Sequence, residues 1–220
     1  MDMKLYLDTA DITAWHECSL TSAIDGVTTN PALVAGCNKS YETVLSEFSG
    51  VIDGPIFAQV TARTASAMIE QANRYHEIHS SAIIKLPATE AGFTTLAELR
   101  EKPISAGITV CFTASQAILA GKLDASFIAP YVGRMNDNGQ DAVQIVKQIL
   151  DIYDAHEFDT EVLAASLRNA TDATELSAAG VDAITLSPSV YESYFHHPQT
   201  TASVAEFHQI WEDFHDNADQ

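Results

Sequence analysis

The chain has 220 residues, 46% of them hydrophobic, enough to bury one sizeable core or two small ones. Its 30 acidic and 11 basic residues give a formal charge of −19, which argues against nucleic acid or an anionic membrane as a partner. No apolar run approaches the length of a membrane-spanning helix, and Met1-Asp2-Met3-Lys4 leads into a strand-like segment rather than a signal peptide, so a cytoplasmic location is expected.

Short apolar runs alternate with longer amphipathic ones along the chain. Leu5 to Asp8 reads as a strand, followed by a helix from Asp11 to Ala23. Gly26 to Thr29 is a second strand, ended by Asn30-Pro31, and Ser40 to Phe48 is helical with Ser40 as cap. Pro55 to Val60 is the third strand. Behind it, Ala65, Met68, Ile69, Ala72 and Tyr75 recur at the helical period within Thr64 to Ile78. Ala82 to Leu86 is the fourth strand, with a helix from Thr89 to Glu101. Ile108 to Phe112 is the fifth, with Ala114 to Leu123 behind it. Ser126 to Tyr131 is the sixth, followed after a polar loop by a helix from Asp141 to His156. Glu161 to Ser166 and Val181 to Leu186 complete the eight strands, with Thr171 to Ala179 and Pro188 to Phe195 as their helices and Gly180 as a helix stop.

Eight strand–helix units without a composition break predict a single-domain α/β fold over residues 1–220, a (β/α)8 TIM barrel. An open doubly wound sheet is the alternative, but no GxGxxG or GxxxxGK[ST] loop follows any strand. An additional C-terminal helix over 201–217 has no barrel position left to fill. Its Phe207, Trp211 and Phe214 would form an apolar patch that either a neighbouring subunit or the chain's own barrel covers.

The fourth strand carries one charge, Lys85, inside Ala82-Ile-Ile-Lys-Leu86. Burial disfavours an ammonium ion and leaves a free amine able to attack a carbonyl, whereas a lysine at a strand end can also snorkel to water. In such a barrel the chemistry sits at the carboxyl ends of the strands. Those ends hold Asp8, Thr28 with Asn30, Gln59, Lys85, Thr109, Tyr131 and Ser166, with Arg134 and Arg168 just beyond. Singly each has a structural explanation: a cap, a turn, a lid on the core, a surface charge. Together they are the parts needed to form an iminium with a ketone and to shuttle protons, and the two arginines could grip a phosphate.

Other chemistries find less support. Cys18, Cys37 and Cys111 are widely spaced without a CxxC pair, which suggests neither a disulfide framework nor zinc, and Cys111 reads as a core residue. His196 and His197 are adjacent, His208 and His215 lie on the last helix, and His76 and His79 read as helix surface, so no metal site is expected. No cofactor is implied. A catalytically silent barrel that binds sugar phosphate remains an alternative of another class.

Six segments in order, Tyr6-Leu-Asp-Thr9, Gly26-Val-Thr-Thr-Asn-Pro31, Phe57-Ala-Gln-Val60, Ile84-Lys-Leu-Pro-Ala-Thr89, Ala129-Pro-Tyr-Val-Gly-Arg134 and Leu163-Ala-Ala-Ser-Leu-Arg168, resemble the small transaldolase and fructose-6-phosphate aldolase family. The resemblance implies a Schiff base on Lys85, assisted by Asp8. It also implies that Asn30 holds hydroxyls of the dihydroxyacetone part of the substrate, with Thr28 beside it among the substrate-binding residues, that Arg134, Ser166 and Arg168 bind its phosphate, and that the protein is a ring-like homo-oligomer, a pentamer or decamer. Gln59, Gly107 and Tyr131 look like the aldolase branch, in which the tyrosine, glutamine and Thr109 position a catalytic water. Phe112, Arg168 and Gly133-Arg-Met-Asn-Asp137 are more similar to the transaldolases. The groups nearest the proton-transfer step carry most weight, so cleavage of fructose 6-phosphate to dihydroxyacetone and glyceraldehyde 3-phosphate is the favoured expectation. Transfer of the dihydroxyacetone unit between sugar phosphates, a pentose phosphate pathway reaction, is the runner-up.

Overall fold

A computed structural model describes residues 3–218. Eight strands close into a parallel barrel in chain order: β1 (Lys4–Asp8), β2 (Gly26–Thr28), β3 (Ile56–Gln59), β4 (Ala82–Pro87), β5 (Ala106–Cys111), β6 (Phe127–Pro130), β7 (Glu161–Leu167) and β8 (Ala183–Leu186). β8 pairs with β1 from Lys4 opposite Ala183 to Leu7 opposite Leu186, so the sheet has no open edge. The expected TIM barrel is therefore the observed fold.

Alternation along the strands divides the interior in two. Residues such as Leu7, Val27, Ile56, Ile84, Ile108, Ile128 and Ile184 are almost fully buried in one cluster between sheet and helices. Their neighbours Tyr6, Phe57, Phe127, Leu163 and Ala183 form a separate cluster inside the barrel, where Phe57 meets Tyr6 and Phe127 edge-on at 4.9 and 5.2 Å between ring centroids. Two residues further along β1, β3 and β4, the same alternation brings Asp8, Gln59 and Lys85 onto the inner face. A polar layer thus lies above an aromatic floor.

The helices between β1 and β5 are α1 (Ile12–Glu17), α2 (Pro31–Gly36), α3 (Tyr41–Ser49), α4 (Ala65–Ile78) and α5 (Glu90–Leu99). Then come α6 (Ala114–Lys122), α7 (Val132–Asp137), α8 (Ala142–Ala155), α9 (Ala170–Ala179), α10 (Pro188–Glu192) and α11 (Pro198–Ala218). Their starts follow local chemistry: Ser40, Thr64, Thr89, Asp141 and Asn169 each accept a main-chain N–H in the first turn, and Thr113 with Gln116 forms a full capping box.

Several expectations are corrected. The helix expected over residues 11–23 ends at Glu17, because Cys18 turns extended (φ −69°, ψ 129°); Leu20 then takes a left-handed conformation (φ 52°) that opens a short 3-10 turn at Thr21–Ala23. The segments after Asn30 and Tyr131 are helical rather than plain turn and loop. Pro31 occupies the first turn of α2, where its missing N–H costs nothing. β5 begins two residues before the expected Ile108 and stops at Cys111, leaving Phe112 just beyond it. His76 and His79 are half-buried rather than on the helix surface, with Nδ1 of the former and Nε2 of the latter enclosed.

The last helix is longer than expected. Through residue 215 its side chains are exposed, including Phe207 (66%), Trp211 (61%) and Phe214 (61%). Within the described residues it is not folded back over its own barrel.

Candidate active site

Lys85 is only 3% exposed, and its Nζ donates to the main-chain carbonyl of Thr29 at 2.9 Å. Burial lowers its pKa from the usual lysine value, and the charge of Asp8 offsets part of that drop. Asp8 shows the converse: burial raises its carboxyl above the usual range, opposed by Lys85 and by the hydrogen bond from Thr28. The Thr28 hydroxyl lies 2.8 Å from Asp8 Oδ1 and 2.6 Å from the hydroxyl of Thr185 on β8. An amine and a carboxyl that both resist their charged forms can exchange protons at little cost.

On the other side, Gln59 stands opposite Lys85 in the β3–β4 register. Its side-chain oxygen is buried and has no hydrogen-bond partner among the described residues, so it is available to a bound water or substrate hydroxyl. Thr109 and Tyr131 face each other with their hydroxyls 3.5 Å apart. Burial raises the Tyr131 pKa, which keeps its hydroxyl protonated and able both to donate and to accept. Phe112 packs edge-on against the same ring at 6.1 Å.

The backbone around this group is irregular. The β5–β6 register shifts between Ile108 and Cys111, and the β7–β8 register between Ala164 and Leu167. Val110 and Ser166 sit in these shifts at φ 58° and 61°, conformations costly for L-residues and most costly for β-branched Val110. Both distortions fall beside candidate residues, Val110 next to Thr109 and Ser166 itself.

Arg134 on α7 stacks over the Tyr131 ring, 5.2 Å from its centroid. Gly133 lets α7 approach the end of β7: a Cβ there would lie 2.3 Å from the Ser166 carbonyl oxygen and 3.0 Å from Arg168 Nε. The structure thus brings Arg134, Ser166 and Arg168 to one rim. The Asn30 side-chain oxygen accepts from the N–H groups of Ala32 and Leu33 to cap α2, which leaves its amide N–H groups for a ligand.

Three contributors were not picked out from sequence. Thr185 lies on the inner face of β8 and was readable by alternation. The Thr29 carbonyl that holds Lys85 is a main-chain group with no sequence signal. Asp137, which pairs with Arg168, lies on α7, in a polar stretch whose composition suggests a loop. A cavity of about 410 Å³ lined by Lys4, Tyr6, Asp25, Phe127 and Glu161 opens at the opposite, amino-terminal end of the barrel, away from these groups. Among the described residues no cluster of three or more His, Cys, Asp or Glu could hold a metal ion, and no helix is long and apolar enough to cross a membrane.

A family model described as Transaldolase/Fructose-6-phosphate aldolase matches residues 5–219. The chain belongs to this family. Among its relatives in the transaldolase/fructose-6-phosphate aldolase family are proteins from Phenylobacterium zucineum (34% identical, covering 95% of this chain and 96% of the relative) and Symbiobacterium thermophilum (37%, 96% and 97%). One from Parvibaculum lavamentivorans is 38% identical over 95% of this chain and 96% of its own length. All three are named "Probable transaldolase". A solved flavocytochrome b2 variant with sulfite bound shares the fold alone, with a TM-score of 0.62 at 12% identity over 87% of this chain and 58% of that one. The chain is therefore an enzyme-family member of transaldolase/aldolase type, and sugar-phosphate substrates fit it.

Proposed function

We propose that this family member breaks and remakes the C3–C4 bond of a ketose phosphate through a Schiff base on Lys85. The observation that carries the proposal is the buried amine held beside Asp8, with its pKa pulled down by burial. Neutral Lys85 adds to the C2 ketone of the donor, and loss of the carbinolamine oxygen as water gives an iminium. Asp8 supplies and takes back the protons of that step. As the C4 hydroxyl loses its proton, the C3–C4 electron pair flows into the iminium, an aldose phosphate leaves, and an enamine remains on Lys85. Thr28 and the Asn30 amide hold hydroxyls of the dihydroxyacetone unit, while Arg134, Ser166 and Arg168 take the phosphate.

The names of the relatives support transfer as the main fate of the enamine: it attacks the aldehyde carbon of a second aldose phosphate, and hydrolysis of the new iminium frees the product. This places transfer ahead of the aldolase reading that the sequence favoured. A second reading has a specific observation behind it. The enclosed, unpartnered Gln59 oxygen and the Thr109–Tyr131 hydroxyl pair supply the acceptors and donors that hold a water, through which Tyr131 relays the C4 hydroxyl proton and later protonates the enamine. Hydrolysis then releases dihydroxyacetone, and the enzyme acts as a fructose-6-phosphate aldolase.

One assay tests the choice: fructose 6-phosphate alone, then with erythrose 4-phosphate. Transfer predicts glyceraldehyde 3-phosphate chiefly when the acceptor is present. Equal release without it would overturn transfer in favour of the aldolase reading.

We also infer that residues 1–220 act as one barrel domain whose α11 packs on a neighbouring subunit of a ring-like homo-oligomer, a pentamer or decamer. The exposed stripe of Val204, Phe207, Trp211 and Phe214 supports this, since seven- and three-residue spacings align them on one face. An acidic protein of this kind acts in the cytoplasm without nucleic acid or membrane partners, and its exclusion from the membrane fraction of lysed cells is the corresponding check.

A further inference from the structure

The two arginines at the rim are not in the same state. Arg168 is held by Asp137 in a two-pronged ion pair: Nη1 donates to Oδ1 at 2.6 Å and Nη2 to Oδ2. Arg134, three residues before Asp137 on α7, pairs with no carboxylate among the described residues and lies over the Tyr131 ring instead. One short helix therefore supplies both a cationic arm and the carboxylate that fills the fork of the opposite arm. The two planar N–H donors that Asp137 occupies are those that a phosphate would use, because fork-to-fork pairing suits carboxylate and phosphate alike.

The contact is also built to be displaced. The Arg168 and Asp137 side chains are 56% and 49% exposed, so solvent and salt screen their attraction and the pair is weak. A phosphate monoester carries more charge than a carboxylate and three acceptor oxygens, and it can engage Arg134 at the same time. Gly133 holds the approach tight, since even a methyl group there would meet the Ser166 carbonyl and Arg168.

We propose that Asp137 is an internal competitor for the phosphate-binding arm Arg168, and so sets how strongly this chain prefers phosphorylated over unphosphorylated aldose acceptors. The proposal rests on the reading of Arg134 and Arg168 as the phosphate grip. A substrate without phosphate leaves the Asp137–Arg168 pair intact and pays no displacement cost. A phosphorylated one must exchange one anion for another, and its apparent affinity is reduced by that exchange. Neutralising Asp137 removes the competitor and should sharpen selection for the phosphate.

Inorganic phosphate tests this without turnover. Its dissociation constant is measured by calorimetry on the full chain for the wild type, Asp137→Asn, Arg168→Gln and the double variant. Asp137→Asn is expected to tighten phosphate binding roughly two- to fivefold, the range set by exposed ion pairs, and the gain should vanish when Arg168 is Gln. The KM ratio of phosphorylated to unphosphorylated acceptor should fall by a similar factor. Weaker phosphate binding in Asp137→Asn would overturn the proposal by making Asp137 a support that aims Arg168, and unchanged binding would overturn it by showing no competition. Absence of phosphate binding to the wild type would remove both the competitor and the grip, whereas hydride trapping on Lys85 is independent of either. The two failures are thus distinguishable.

Discussion

The amine of Lys85 donates to the carbonyl of Thr29, the residue next to Thr28, whose hydroxyl is bonded to Asp8. Two consecutive residues at the end of β2 therefore contact both the candidate nucleophile and its carboxyl partner. Thr185 extends the arrangement across to β8.

Replacing Asp8 by Asn separates the charge of that carboxyl from its shape. The Asp8 charge raises the Lys85 pKa against the larger lowering by burial, so its removal lets the Lys85 pKa fall further. The acid limb of kcat/KM, where Lys85 becomes protonated, should move to lower pH, while kcat falls by about 10²-fold through loss of proton transfer. Stability should move the other way. A carboxyl with a raised folded-state pKa contributes its stability below the unfolded pKa and loses it as pH rises through the folded value, so at neutral pH, well above the unfolded pKa, that contribution is reduced and burying the carboxyl is a burden. Asp8→Asn should be more stable at pH 7 by about 0.5–2 kcal/mol. An acid limb that moves to higher pH, or a lower melting temperature, would contradict the coupling.

Tyr131→Phe removes one hydroxyl from the Thr109–Tyr131 pair while keeping the ring under Arg134 and against Phe112. Release of dihydroxyacetone in the absence of an acceptor should drop by about 10²-fold, the scale of one general acid–base group. Transfer to erythrose 4-phosphate should suffer much less. Equal losses in both assays would mean that Tyr131 does not decide the fate of the enamine.

Gly107 lies beneath Thr109, and a Cβ on it would come within 2.3 Å of the Phe127 ring and 2.4 Å of the Phe127 carbonyl oxygen. Phe127 therefore fills the space that a side chain at 107 would need. Gly107→Ala should cost about 1–3 kcal/mol by overpacking, read from the denaturant midpoint. An unchanged midpoint would show that the aromatic floor can shift freely.

Charging the exposed face of α11 tests the assembly. Phe207→Glu combined with Trp211→Glu changes two residues that are 66% and 61% exposed and touch no core cluster. Light scattering should report smaller particles with helical content retained. An unchanged particle mass would show that this face is not the contact.

The barrel was legible because each strand is a short apolar run and most of the helices between strands start at a capping side chain. Asp8 and Gln59 were readable as polar residues at strand ends; that they lie directly above Tyr6 and Phe57 on the inner face follows from the strand alternation seen in the structure. What escaped lacks such a signature. Asn30-Pro31 has the chemistry of both a turn and a helix start, and only the stretch after it, Pro31–Gly36, distinguishes the two. Cys18 ends α1 by turning extended, and Leu20 opens the next turn in a left-handed conformation; neither side chain announces its backbone. Thr29 acts through its carbonyl, and Asp137 reaches Arg168 across 31 positions of chain, a contact set by how α7 packs on β7. The apolar stripe of α11 was readable, but its direction away from the barrel depends on packing that a single sequence does not express.

The most direct test of the central claim is hydride trapping. Incubation with fructose 6-phosphate and borohydride, followed by peptide mapping, should leave one reduced dihydroxyacetone unit on the peptide holding Lys85, with no adduct in Lys85→Met. An adduct that persists in Lys85→Met, or none in an active wild-type enzyme, would contradict a Schiff base at Lys85.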